Sequence, residues 1–183
     1  MGVYILLLSI LPFLAVALFA VFTVWLFVSA RSARKSGAPY FPTPTRAIRA
    51  ALRAAELRPG ESFYDLGAGT GRALLIAEHE FGARATGFEI SPLFAAIALA
   101  DLFLHRSRAT IKMADFFKED IGGADVIFCF LAIRTMARME EQIGRQAKAG
   151  ARIIVYAFPL PGMKPTQVIP VRGQWKMYLY RLA

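Results

Sequence analysis

The residues best suited to chemistry are Asp65-Leu66-Gly67-Ala68-Gly69-Thr70-Gly71. Glycines at alternate positions let a backbone turn tightly and approach a ligand closely. A Gly-x-Gly turn alone is shared with dinucleotide sites, whose phosphate fingerprint is Gly-x-Gly-x-x-Gly. Here the third glycine arrives one position early, and an acidic residue closely precedes the loop. Two more carboxylates follow. Glu89 lies near the end of the next predicted strand, where a carboxylate can accept both ribose hydroxyls of a nucleoside. Asp115 follows the strand after that, where it can take the exocyclic amine of adenine. Its neighbour Phe116 offers a ring edge or a backbone amide beside the base.

These residues need strand ends and loops to present them, and the patterning predicts both. Thr43 is predicted to cap a helix with Pro44 at its first position and an end near Leu57, before Arg58-Pro59-Gly60. Strands are predicted at 62–66, 84–90, 110–114, 125–131 and 151–158. Helices are predicted at 72–80, from Ser91-Pro92 to about His105, and at about 133–147. The apolar run Asp125–Leu131 suits a strand covered on both faces. Segments 166–171 and 175–181, joined by a turn at Arg172-Gly173, read as a closing antiparallel hairpin. Strands alternating with helices imply an α/β fold with a parallel sheet.

The chain has 183 residues, 22 Lys+Arg, 13 Asp+Glu and a formal net charge of +9. None of that charge falls in residues 1–30. The apolar run from Tyr4 to Ala30 would span about 40 Å as a helix, more than the ~30 Å core of a bilayer. Residues 1–30 are therefore expected to be a transmembrane helix rather than a cleaved signal peptide, which would carry basic residues before a shorter apolar stretch. Arg31, Arg34 and Lys35 follow at once, so the positive-inside rule puts the remainder on the cytoplasmic side of a single-pass membrane protein, with lipid as one partner. Residues 31–44 form a basic and proline-rich linker, and 45–183 the folded domain. One cysteine and two histidines leave no zinc site to expect. Cys129 in a buried strand reads as core. The basic residues are scattered and flank the apolar run, which favours lipid over nucleic acid as their partner.

At the glycine loop, Glu89 and Asp115, the sequence resembles class I S-adenosylmethionine-dependent methyltransferases, which have a Rossmann-like sheet. By that resemblance Asp65 helps to hold the amino end of the cofactor's methionine and Gly67 and Gly69 make room for it. Glu89 binds the ribose, Asp115 and Phe116 face adenine, and Gly71 and Ile90 complete the cofactor set. A closer resemblance rests on Pro39-Tyr40-Phe41-Pro42-Thr43 behind an apolar segment and on Phe158-Pro159-Leu160-Pro161 after the fifth strand. These motifs resemble those of membrane-anchored protein lysine methyltransferases, the family whose mitochondrial members modify the adenine nucleotide translocase and the ATP synthase c-subunit. The resemblance implies S-adenosylmethionine as cofactor, a lysine-bearing protein as substrate, and Thr43 and Thr45 near the cofactor.

After the fourth strand, enzymes acting on planar amides usually keep Asn/Asp-Pro-Pro-aromatic; here the chain reads Phe130-Leu131-Ala132-Ile133. For lysine the obstacle is protonation, since only roughly one amine in a thousand is neutral near pH 7.4. Desolvation in an aromatic channel favours the neutral form. Tyr40, Phe41, Phe116 and Phe158 are candidates for its wall, and Tyr40 could hydrogen-bond the amine. A lipid or a membrane-associated small molecule as methyl acceptor is the alternative.

Overall fold

The computed structural model describes residues 10–24, 27, 42–171 and 175–183. Helix α1 covers residues 10–24. Then come α2 (Thr45–Ala54), β1 (Ser62–Leu66), α3 (Arg72–Phe81), β2 (Arg84–Phe88), α4 (Pro92–Leu104), β3 (Thr110–Lys112), β4 (Val126–Cys129), α5 (Met136–Gln146), β5 (Arg152–Tyr156), β6 (Gln167–Pro170) and β7 (Lys176–Arg181). Single 3-10 turns occupy Phe116–Lys118 and Ile133–Thr135. From β1 onward the predicted order of strands and helices holds. The strands are shorter than their apolar runs, because chain that leaves the ladder can stay buried.

The sheet has seven strands in the order β3-β2-β1-β4-β5-β7-β6. The first five are parallel, whereas β7 runs antiparallel to both β5 and β6. The closing hairpin is thus not simply added at the edge. Its second strand is inserted beside β5 and pushes β6 to the outside.

Alternating side chains divide the core into two layers. Phe63, Phe128, Ile154 and Leu179 face Ile48 and Leu52 of α2 and Leu74 of α3. Leu66, Ile127, Cys129, Ile153 and Tyr180 face Met139 and Ile143 of α5. Cys129 is buried, as its core reading requires, and burial pushes its thiol well above the usual range. In β2 a side chain on Gly87 would bring its Cβ to 2.7 Å from Ala68 Cβ and 2.8 Å from Leu74 Cδ1. Glycine there lets the glycine loop and α3 lie directly on the sheet.

Helix α2 begins at Thr45, and Pro44 rather than Thr43 takes the cap position, with no side-chain cap bond. The carbonyl of Pro44 accepts from the N–H groups of Ala47 and Ile48. The helix stops at Ala54, earlier than predicted, and Glu56 turns the chain with φ 53°. Its carboxyl end is held at the amino edge of the sheet. The Arg152 guanidinium donates to the carbonyls of Ala55 and Glu56, both at 3.0 Å, and pairs with Glu61 at 2.7 Å. Arg181 pairs with Glu56 at 2.8 Å.

Candidate active site

The carboxyl ends of β1, β2, β4 and β5 meet at one edge of the sheet, where α/β folds bind ligands. Gly67 and Gly71 adopt φ of 89° and 77°, conformations that disfavour side chains. Both are also close-packed: an added Cβ would lie 3.4 Å from Leu131 Cδ2 at Gly67 and 3.3 Å from Ala98 Cβ at Gly71. The loop is thereby clamped between the end of β4 and helix α4.

Glu89 is buried and ties this edge together. Its Oε2 accepts the Gly69 N–H and its Oε1 the Ser91 N–H, both at 2.8 Å. Burial raises its pKa, against the opposing pull of the N–H groups of Ser91, Gly69 and Ile90. Set against these three N–H groups, the four lone pairs of the carboxylate leave capacity for a further hydroxyl donor. Ile90 thus acts through its backbone, beside the carboxylate it helps to hold. Ser91 Oγ, buried next to Glu89, has no hydrogen-bond partner among the described residues.

Asp65 is 4% exposed at the end of β1. Burial, helped by the charge of Glu89, pushes its carboxyl up to about 8. Among the described residues no hydrogen-bond donor answers it. A buried carboxyl of this kind, near a second one, is set to receive a cation.

Asp115 is half-buried and has a structural task that its position in sequence did not show. Its Oδ1 accepts the Phe117 N–H at 3.1 Å and caps a 3-10 turn, which leaves Oδ2 for another donor. Phe116 is held by a 2.9 Å hydrogen bond from Gln142 Nε2 to its carbonyl. Its ring lies 4.3 Å from that of Phe117, in the α5 layer. Thr43 is buried and Thr45 half-buried at the amino end of α2. Tyr40 and Phe41 lie outside the described residues.

Phe116 and Phe158, both expected in one channel wall, share no ring contact among the described residues. The ring of Phe158 meets Trp175 edge-on at 6.2 Å. Phe158 is turned there by Ala157, whose φ is 74°, with the Phe158 N–H donating to the Tyr156 carbonyl at 3.0 Å. This is a three-residue turn of the rare, strained type. The structure adds three aromatic residues that sequence reasoning missed. Phe130 lies 4.7 Å from Tyr156, and Tyr156 6.3 Å from Trp175. The register explains the grouping. Leu66 pairs with Cys129 and Cys129 with Val155. The next row therefore sets Gly67, Phe130 and Tyr156 side by side, and Tyr156 pairs with Met177. An aromatic row leads from the glycine loop to Trp175. A ring just beyond β4 and another closing β5 were its only signals in the sequence.

Comparison with known proteins agrees with this geometry. The family described as "ANTKMT methyltransferase domain" matches residues 65–167. A protein-lysine N-methyltransferase of Saccharolobus islandicus is 32% identical over 148 residues, covering 78% of this chain and 92% of that protein. The adenine nucleotide translocase lysine N-methyltransferase of Mus musculus is 28% identical over 159 residues, covering 82% of this chain and 68% of its own length. Among solved structures, an RNA methyltransferase of Salinibacter ruber in complex with S-adenosyl-L-homocysteine superposes with a TM-score of 0.75 at 24% identity, over 78% of this chain and 94% of that one, which shows a shared fold. The matched residues include the glycine loop, Glu89, Asp115 and the aromatic positions of β4 and β5, and the chain belongs to the ANTKMT methyltransferase domain family.

Proposed function

We propose that this chain transfers a methyl group from S-adenosylmethionine to the ε-amine of lysine in a protein at or near a membrane. The observation that carries the reading is the row Gly67, Phe130, Tyr156, which joins the cofactor loop to an aromatic cluster and has no Asn or Asp side chain at residues 130–133 for a planar amide. The names of the relatives support a lysine acceptor.

The residues fit the cofactor. Asp65 is a buried carboxyl with no hydrogen-bond donor among the described residues, suited to the ammonium of the methionine portion. Glu89 keeps capacity for a ribose hydroxyl, with Ser91 Oγ beside it. Asp115 Oδ2 is left for the adenine amine, and Thr43 and Thr45 flank the site from α2. S-adenosylmethionine, when bound, supplies a methyl group already activated on a sulfonium. This chain's own work is therefore largely positioning. Phe130, Tyr156 and Phe158 exclude water from the amine and so favour its neutral form. The Tyr156 hydroxyl, which has no hydrogen-bond partner among the described residues, and that of Tyr40 are the acceptors that orient its lone pair.

The membrane part of the reading is supported by α1. Every residue of 10–24 is exposed and all but one side chain is apolar. The exception, Thr23, donates its hydroxyl to the Phe19 carbonyl at 2.8 Å, as a helix in lipid requires. Among the described residues no helix is long and apolar enough to cross a membrane. The apolar run in the sequence extends past both ends of α1. We place the domain on the cytoplasmic side, following the basic cluster at 31–35.

The test is mass spectrometry of membrane proteins incubated with the enzyme and isotopically labelled cofactor. Label on lysine as mono-, di- or trimethyl forms is expected. Label only in lipid, nucleic acid or arginine overturns the acceptor.

A further inference from the structure

Helix α4 buries Ala95, Ala98 and Leu102 against the sheet, as an amphipathic helix should. Its outward side is not polar. Ala96, Ile97, Leu99, Ala100, Phe103 and Leu104 are all exposed, Phe103 by 82% and Leu104 by 75%. At 3.6 residues per turn these six occupy an arc of roughly 160° without a charged or polar side chain. A helix apolar on both sides is expected to be covered on both sides. Met113, just past β3, is also exposed.

The surroundings of this face are basic. Arg106 and Arg108 are exposed just beyond the carboxyl end of α4. The nearby acids are already engaged. Asp101 is with His105 at 3.3 Å, Glu119 is 3.9 Å from Lys112, and Glu78 accepts the Ser107 hydroxyl and the N–H groups of Arg108 and Ala109. A two-fold contact between copies through this face would bring two sets of arginines together without acids to answer them. Helix α1, laid over it, carries no acid either. Anionic headgroups answer the arginines while the acyl boundary covers the apolar arc, the pattern of a helix lying in a bilayer interface.

We propose that the outward face of α4 is a second membrane contact, set into the surface of an anionic bilayer with Arg106 and Arg108 on the headgroups. It orients the domain, whereas α1 only tethers it. The contact goes beyond the proposed methyl transfer and does not depend on it.

The test uses the whole chain reconstituted in vesicles of phosphatidylcholine and phosphatidylglycerol. A nitroxide is attached through Phe103→Cys or, at an exposed position of α5, through Arg145→Cys; the native Cys129 is buried and does not compete. Accessibility to oxygen relative to a polar nickel reagent is expected to be several-fold higher at 103 than at 145. In the Arg106→Glu, Arg108→Glu background that excess is expected to fall. Equal ratios at the two positions in a chain that floats with the vesicles overturn the α4 contact and leave the anchor standing. Spin–spin broadening at 103 assigns the face to a second copy and also overturns it. A chain that does not float overturns both contacts, whatever its methyltransferase activity.

Discussion

At the amino edge of the sheet, the buried cation Arg152 meets Glu61 and two carbonyls of the α2 terminus. At the carboxyl edge, the buried acid Asp65 faces a second acid and no donor among the described residues. One edge satisfies its charge within the chain, and the other leaves charge for a ligand to satisfy. The amino edge should therefore govern stability with little effect on binding, and the carboxyl edge the reverse.

The largest effect is expected at the amino edge. Arg152→Ala removes one member of a largely buried pair and uncaps α2, at a cost of about 3 kcal/mol. Denaturant unfolding should show this as a lower midpoint, with S-adenosylmethionine affinity nearly unchanged at low denaturant. A large loss of affinity would mean that the two edges are not separable. Glu89→Ala should show the opposite profile. Binding by calorimetry should weaken roughly tenfold or more, because hydrogen bonds to a charged group contribute about 1.5–3 kcal/mol each. Stability should change little, since lost contacts to Gly69 and Ser91 are offset by relief of repulsion on Asp65.

The pH dependence sharpens the contrast. In the ligand-free chain Asp65 titrates near 8 instead of 3.8, so the folded state favours its neutral form. Its contribution to stability is complete below about pH 4 and is lost as pH rises through about 8. A cationic ligand favours the ionised form, so binding at pH 7 should release a proton. Calorimetry in buffers of different ionisation enthalpy measures that release directly. Asp65→Asn should abolish it, flatten the stability profile between pH 4 and 8, and weaken binding. The smallest effect is expected for Tyr156→Phe. Turnover should fall moderately, up to about tenfold for one lost hydrogen bond, with cofactor affinity and unfolding midpoint held. Unchanged turnover would move the amine contact to Tyr40.

The sequence shows local chemistry better than pairing. Asp65, the glycine loop and Glu89 were legible because each is a residue type that needs its place beside a strand end. The alternation of strands and helices was legible from periodicity and from Pro92 and Gly60 as punctuation. Neighbourhoods across the sheet were not. Phe130 stood out only for lacking a polar group, and its value comes from the register that sets it against Tyr156. Arg152 looked like a charge in an apolar strand, because its partners in α2 and at Glu61 are far away in sequence. Gly87 carried no signal, since its negative φ asks nothing of the backbone and only packing forbids a side chain. The capping role of Asp115 and the cap position of Pro44 were likewise decided by local geometry that several residue types permit.

The insertion of β7 between β5 and β6 also has a consequence in time. During synthesis β6 emerges before β7, yet it has no neighbour in the sheet until β7 arrives. Strands β1 to β4, with the glycine loop and Glu89, precede the hairpin in the chain and pair with one another without it. Trp175 and the strand after it come later, so the aromatic row is completed only when β7 slots in. A nascent chain could hold its cofactor before it could act on an acceptor, and an interrupted one would display the bare edge of β5. Methyl transfer would then begin only after β7 has been made.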